Sequence, residues 1–131
     1  MRTIALRRLA ATVALLLTAT TAAAAQLLAD VSGKWHVAVN MGGNTSESLI
    51  TFKQSGDTLS GVIETEQAGT RPLSGTVSGD TVRFRFEIDA QGNLLEIRAG
   101  GLLRDKDSIE GAFVLPNDMG SFTFLAKRQQ P

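Results

Sequence analysis

The residue types that most often do chemistry in proteins are sparse in this 131-residue chain. There is one histidine, His36, and there is no cysteine, so the usual zinc site built from Cys and His is ruled out. Asp105 and Asp107 stand two apart, as carboxylates of calcium loops do, but the other ligands and the loop glycine are missing. The pair therefore predicts a short hairpin loop, and no metal is expected.

No catalytic constellation is visible in the sequence. It contains no Ser-His-Asp set and no glycine-rich phosphate cradle. Eight charged residues lie close together in the chain and alternate with apolar ones: Glu64, Glu66, Arg83, Arg85, Glu87, Asp89, Glu96 and Arg98. Alternation predicts that they face solvent as cross-strand ion pairs. We therefore expect a protein that is not an enzyme and needs no cofactor.

Three turn sequences indicate the strands that must position any site. Gly56-Asp57, Gly79-Asp80 and Asn117-Asp118 each lie between alternating segments, which is a strong hairpin signal. The implied pairings set a phenylalanine against a glycine: Phe52 with Gly61, Phe84 with Gly75, and Phe124 with Gly111. Each keeps the apolar residues on one face, which a shift of one residue would forbid.

Alternation predicts eight strands in all, at roughly 34–40, 46–55, 58–66, 70–78, 81–90, 93–104, 108–116 and 120–129. We expect an all-β fold, an eight-stranded antiparallel up-and-down barrel, because closure removes the two exposed edges of an open sheet. Two packed sheets are the alternative. Gly100-Gly101 predicts a bulge in the sixth strand.

The first 25 residues are not expected to belong to the fold. Arg2, Arg7 and Arg8 make a basic start, an uncharged run follows, and Ala23–Ala25 fit the small-residue rule for signal peptidase. We predict a signal peptide at 1–25, cleaved after Ala25, and a single domain at 26–131 that is secreted or periplasmic.

The chain beyond the predicted cleavage site carries 10 basic and 13 acidic side chains. This net negative charge gives no indication of nucleic acid or an anionic membrane surface as partner. Without the signal peptide, no membrane span is expected.

The first and last strands of the predicted barrel meet at Trp35 and Arg128. In an up-and-down barrel the start of the first strand lies beside the end of the last, and parity from Phe124 places Arg128 on the inward face. We predict that the guanidinium stacks over the indole and closes one end of the barrel. The alternative is a Trp35 that only anchors the core and a solvated Arg128.

Gly33, Trp35 and Arg128, together with the eight-strand meander, resemble the calycins, which include lipocalins, fatty-acid-binding proteins and avidins. The segments Asp30–Trp35, Thr51–Gly61, Gly75–Phe84 and Gly120–Arg128 also resemble a bacterial group of small secreted β-barrel domains. These resemblances imply the barrel fold and export, and the bacterial group brings no settled activity.

Two functions follow as hypotheses. The first is a noncatalytic barrel that binds a small hydrophobic molecule in its lumen. Its expected lining is Val37, Ile50, Phe52, Ile63, Phe84, Phe86, Phe113 and Phe124. The second is a protein-interaction module, an inhibitor or accessory domain of an exported enzyme, because some secreted metalloprotease inhibitors are similar barrels with an N-terminal inhibitory segment. The leader Gln26–Asp30 would then play that part.

Overall fold

The computed structural model describes residues 29–130, in which the regular structure consists of eight β-strands. They are β1 (Gly33–Asn40), β2 (Thr45–Ser55), β3 (Thr58–Thr65), β4 (Gly69–Ser78), β5 (Thr81–Ala90), β6 (Asn93–Asp105), β7 (Ser108–Val114) and β8 (Ser121–Arg128). Each bound lies within two residues of its prediction. The predicted signal peptide, residues 1–25, and the first part of the leader, residues 26–28, lie outside the described residues. Within the described range there is no helix with the length and hydropathy of a membrane span.

The sheet closes on itself. Each strand pairs antiparallel with the next, and β1 pairs with β8 from Trp35–Arg128 to Asn40–Thr123. This confirms the up-and-down barrel and shows that the two-sheet alternative is wrong. The barrel has two ends. We call the end at Trp35 and the β2–β3, β4–β5 and β6–β7 turns the floor, and the opposite end the mouth.

The predicted register is confirmed at all three phenylalanine–glycine pairs. The glycines are needed because the bent strands bring backbone close to them. A Cβ at Gly61 would collide with the Thr51 carbonyl, and one at Gly75 with the Arg83 carbonyl. The strands can therefore curve around the phenylalanine rings only where the opposite residue lacks a side chain.

The bulge predicted at Gly100-Gly101 is wrong. The β6–β7 ladder is regular there, and its register shifts between Leu103 and Asp105, beside the turn. Gly101 points into the core, where a Cβ would lie 2.8 Å from Cγ2 of Ile109. Its small size therefore serves packing rather than a strand irregularity.

Candidate functional site

The floor is closed by the predicted contact. The Cζ atom of Arg128 lies 4.5 Å from the ring centroid of Trp35, and the indole is fully buried. The indole Nε1 donates a hydrogen bond of 2.9 Å to the carbonyl of Val31, which is also fully buried. The alternative of a solvated Arg128 is therefore wrong.

The Arg128 guanidinium ties three parts of the chain together. Its Nη1 donates to the Ser32 carbonyl at 2.6 Å, and its Nη2 donates to the carbonyls of Asp30 and Lys106, each at 2.9 Å. Its Nε lies 3.1 Å from Oδ1 of Asp107. A Cβ at Gly33 would only come into van der Waals contact with Nη1, at 3.4 Å. Glycine is favoured there because the positive φ of 122° would strain another residue. Arg128 therefore has a structural role, and all three nitrogens of its guanidinium already donate hydrogen bonds within the protein.

Residues 29–32 form a strap across the floor. The side chain of Gln54 holds it from both sides, accepting from the Val31 N–H and donating to the Ala29 carbonyl, each at 2.8 Å. The Ser32 backbone N–H and hydroxyl, and then the Arg128 guanidinium, hold the pKa of Asp30 below its ordinary value. The last two residues of the predicted inhibitory leader, Ala29 and Asp30, are therefore bound to the barrel itself.

The middle of the barrel is filled. All eight residues of the predicted lining face the lumen and are buried, with at most 8% of their surface exposed. Phe113 is the centre of this layer, with ring centroids of Phe84, Phe86 and Phe124 at 6.2, 5.9 and 4.7 Å. Phe52 joins through an edge contact with Phe84 at 5.3 Å. The residues that the sequence predicts as a ligand-binding lining therefore face the lumen and include an aromatic group packed ring against ring.

The mouth is less tightly closed. Four apolar residues in inward positions are only half-buried there: Ile88, Leu95, Leu115 and Phe122. Four of the six large apolar side chains that the described residues leave exposed also lie at this end: Met41, Leu94, Val114 and Met119. Alternation places the first four inward, but the sequence hypothesis did not assign them to the site. The sequence signal that could have identified Ile88, Leu95, Leu115 and Phe122 is their position at the strand ends far from Trp35.

A side opening separates β4 from β5 near the mouth. Their ladder stops at Leu73–Phe86, although both strands continue towards the mouth. The Nε of Arg71 spans the gap and donates to the Glu87 carbonyl at 2.6 Å. A cavity of about 410 Å³ lies here, and it is lined by Arg71, Pro72, Leu73, Ser74, Arg85, Phe86, Glu87 and Glu96. Since Ser74, Arg85 and Glu96 belong to the outer face, it is a groove between the strands, and Leu73 and Phe86 at its base are only 5% and 8% exposed. Parity counted from Leu73 places Arg71 on the inward face of β4.

The charged residues do not form the predicted cross-strand ion pairs. Arg85 lies directly opposite Arg98, and Glu87 directly opposite Glu96. The ion pair in this group joins Arg98 to Glu96 within one strand, at 2.8 Å. The buried inward residues determine the register. The outward residues that face each other across two strands follow from that register, whether their charges are opposite or alike.

Charge is consequently divided between the two ends. The half of the barrel nearer the mouth carries seven carboxylates and two arginines, Arg71 and Arg98, and Arg98 is ion-paired with Glu96. These carboxylates are Glu47, Glu64, Glu66, Glu87, Asp89, Glu96 and Asp118. The mouth therefore combines apolar side chains with a negative surround.

The remaining candidates lie apart from one another. His36 is exposed on the outer face of β1. Asp105 uses its carboxylate within the β6–β7 turn, where Oδ1 accepts from the Asp107 N–H at 2.8 Å. Leu102 and Leu125 are exposed on the outer face, but Glu110 stands between them in the ladder. The outer apolar residues of β6 and β8 thus form no continuous patch.

Comparison with known proteins gives fold-level likeness. No family model matches the chain, and no curated protein matches it. Among solved structures, a redesigned β-barrel has 20% identity and a TM-score of 0.60, covering 76% of this chain and 91% of its own. A redesigned β-barrel, mFAP1, bound to DFHBI, has 18% identity and a TM-score of 0.56, with coverages of 75% and 94%. A further barrel, described as EF1p2_mFAP2b bound to DFHBI, has 14% identity and a TM-score of 0.53, with coverages of 75% and 93%. At these identities the likeness concerns the fold.

Proposed function

We propose that this chain is a noncatalytic, exported β-barrel that binds a small apolar molecule at its mouth. The observation that carries the proposal is the contrast between the two ends. The floor is closed by the strap, Trp35 and Arg128, whereas half-buried apolar residues face inward at the mouth. Apolar surface left partly exposed in a concave place favours an apolar ligand.

The side opening offers room for such a ligand on β4 and β5, although none of the four half-buried mouth residues lines it. Its volume of about 410 Å³ falls within the range of small-molecule pockets, roughly 300–1,000 Å³. Leu73 and Phe86 supply apolar wall, and the Arg71 guanidinium supplies donors for one acceptor on the ligand. Two similar barrels are described as bound to DFHBI, and they support the idea that this architecture accommodates a small molecule.

The test uses the neutral apolar dye Nile red and two matched variants. Ile88→Asn places an amide at the mouth, and Leu125→Asn makes the same change on the outer face. Full burial of an aliphatic side chain contributes roughly 1.5–3 kcal/mol, and Ile88 is already partly buried against the core, so Ile88→Asn should weaken dye binding by only a few-fold. Urea unfolding of both variants checks that each is folded under the binding conditions. Leu125→Asn should bind as the unaltered protein does. Equal affinities in the two variants, or an unaltered protein that binds no dye, would contradict the proposal.

Export is tested separately. The proposal requires cleavage after Ala25, so the mature protein recovered from outside the cytoplasm should begin at Gln26 when its intact mass is measured. A protein that retains residues 1–25 and stays with the cytoplasm would contradict export, while leaving the ligand-binding experiment unaffected.

A protein-interaction module is the second candidate, and the exposed Met41, Leu94 and Met119 at the mouth favour it. A photo-crosslinking residue placed at Met119 should then capture a specific exported protein, while the same residue at Leu125 should not. Crosslinks of equal yield at both positions would contradict an interaction surface at the mouth.

A further inference from the structure

A group of arginines surrounds a cleft on the outer face of β4, β5 and β6, away from the mouth. Arg83, Arg85 and Arg98 line this cavity, which has a volume of about 480 Å³. The hydroxyl-bearing residues Ser74 and Thr76 line its other side.

The strand register brings these groups together. Arg85 lies directly opposite Arg98 on β6 and directly opposite Ser74 on β4. Arg83 lies opposite Thr76 on β4 and opposite Gly100 on β6. Gly100 has no side chain, and a Cβ there would meet nothing within 4 Å, so the cleft stays open at this point.

The positive charge of the cleft is only partly neutralised. Glu96 is ion-paired with Arg98 at 2.8 Å, whereas Arg83 and Arg85 make no ion pair within the described part of the chain. Like charges placed directly opposite on neighbouring strands are destabilising. An anion between the guanidinium groups would remove this repulsion and would accept their hydrogen bonds.

We propose that the cleft binds a small organic phosphate or sulfate. Guanidinium groups match the oxygens of such anions in two-point geometry, and charge-assisted hydrogen bonds of this kind are the strong ones. Ser74 and Thr76 add neutral donors, and the volume exceeds what a bare phosphate needs, which leaves space for an organic group. The cleft lies nearer the floor than the side opening but shares Ser74 and Arg85 with it. Nile red binding to Arg85→Gln is therefore measured as well, and unchanged dye binding separates this site from the function proposed at the mouth.

The experiment titrates phenyl phosphate into the full-length protein at constant ionic strength and follows amide chemical shifts by NMR. Residues of β4, β5 and β6 around the cleft should shift in a saturable way, and benzyl alcohol, which lacks the anion, should shift none of them. Inorganic phosphate in a parallel titration separates recognition of the oxyanion alone from recognition of the organic group.

Two variants make the result decisive. Arg85→Gln should weaken phenyl phosphate binding about tenfold, because it removes a charged donor from the cleft. It should also fold without loss of stability at low salt, since it removes the repulsion with Arg98. The control, Arg104→Gln, removes an arginine whose ion partner is Glu110 and which does not line the cleft, and it should bind as the unaltered protein does. If both variants weaken binding equally, or if chloride at the same ionic strength produces the same shifts, the site is overturned in favour of general charge screening.

Discussion

Arg128→Ala is expected to lower the free energy of unfolding by about 1.5–4 kcal/mol. Stacking of a cation on an indole contributes roughly 0.5–2 kcal/mol. The Ser32 carbonyl is partly buried and would lose its 2.6 Å hydrogen bond, which costs about 1–2 kcal/mol. The carbonyls of Asp30 and Lys106 are exposed, so water replaces the guanidinium there at little cost.

The ion pair of Arg128 adds little to this sum. The side chains of Arg128 and Asp107 are 23% and 37% exposed, and such surface pairs contribute roughly 0–1 kcal/mol. For a domain of this size the expected loss corresponds to a fall in Tm of the order of 10 °C or more. Arg128→Lys should lose about half as much, because an ammonium keeps the charge near Trp35 but cannot reach all the carbonyls at once.

The assay is urea unfolding followed by far-UV circular dichroism, with fluorescence of Trp35, the single tryptophan, as a second probe. Arg104→Ala is the matched control. It breaks an ion pair of similar length, 2.9 Å, between side chains that are 58% and 53% exposed, so its cost should stay below about 1 kcal/mol. If Arg128→Ala cost no more than Arg104→Ala at an unchanged m-value, Trp35 alone would close the floor.

Three further outcomes are expected. Gly75→Ala should cost more than about 2 kcal/mol in urea unfolding, because its Cβ would collide with backbone, whereas Gly100→Ala should cost almost nothing. Phe113→Ala should cost about 3–5 kcal/mol, as it removes the centre of the aromatic layer; a loss under about 1 kcal/mol would mean that the interior is loosely packed. The lowered pKa of Asp30 means that its contribution to stability is complete above 3.8 and is lost as the pH falls through the lower folded value. The plot of unfolding free energy against pH should therefore be shallower in acid for Asp30→Asn, and an unchanged slope would contradict the pKa shift.

The sequence predicted the fold in detail because its turns and its apolar alternation specify the same register. Phe52 opposite Gly61 and Trp35 opposite Arg128 were both deduced by counting residues from a turn or from a neighbouring phenylalanine. Register is strongly determined when one face is buried, since an error of one residue would expose the whole core.

The site was predicted less well, for physical reasons that lie outside any single strand. Whether the lumen is open depends on how far apart opposite walls stand, and alternation does not report that distance. Alternation gives no sign that the ladder between β4 and β5 stops at Leu73–Phe86. Arg85 lies opposite Arg98 because the inward residues determine the register. The charges themselves therefore gave no signal for this pairing.

The filled lumen restricts where this barrel can recognise anything. Eight strands enclose a space that side chains can just fill, and five of the six phenylalanines meet there as one aromatic group. A ligand that entered this layer would displace rings already packed against each other, and each lost ring contact would subtract from its affinity. We therefore expect recognition where inward residues are still partly exposed, at the mouth beside Phe122, or on the outer face, where Arg83 and Arg85 make no ion pair within the described residues. The closed floor contributes indirectly, because Arg128 holds the first and last strands together, and the barrel must stay closed for either surface to exist.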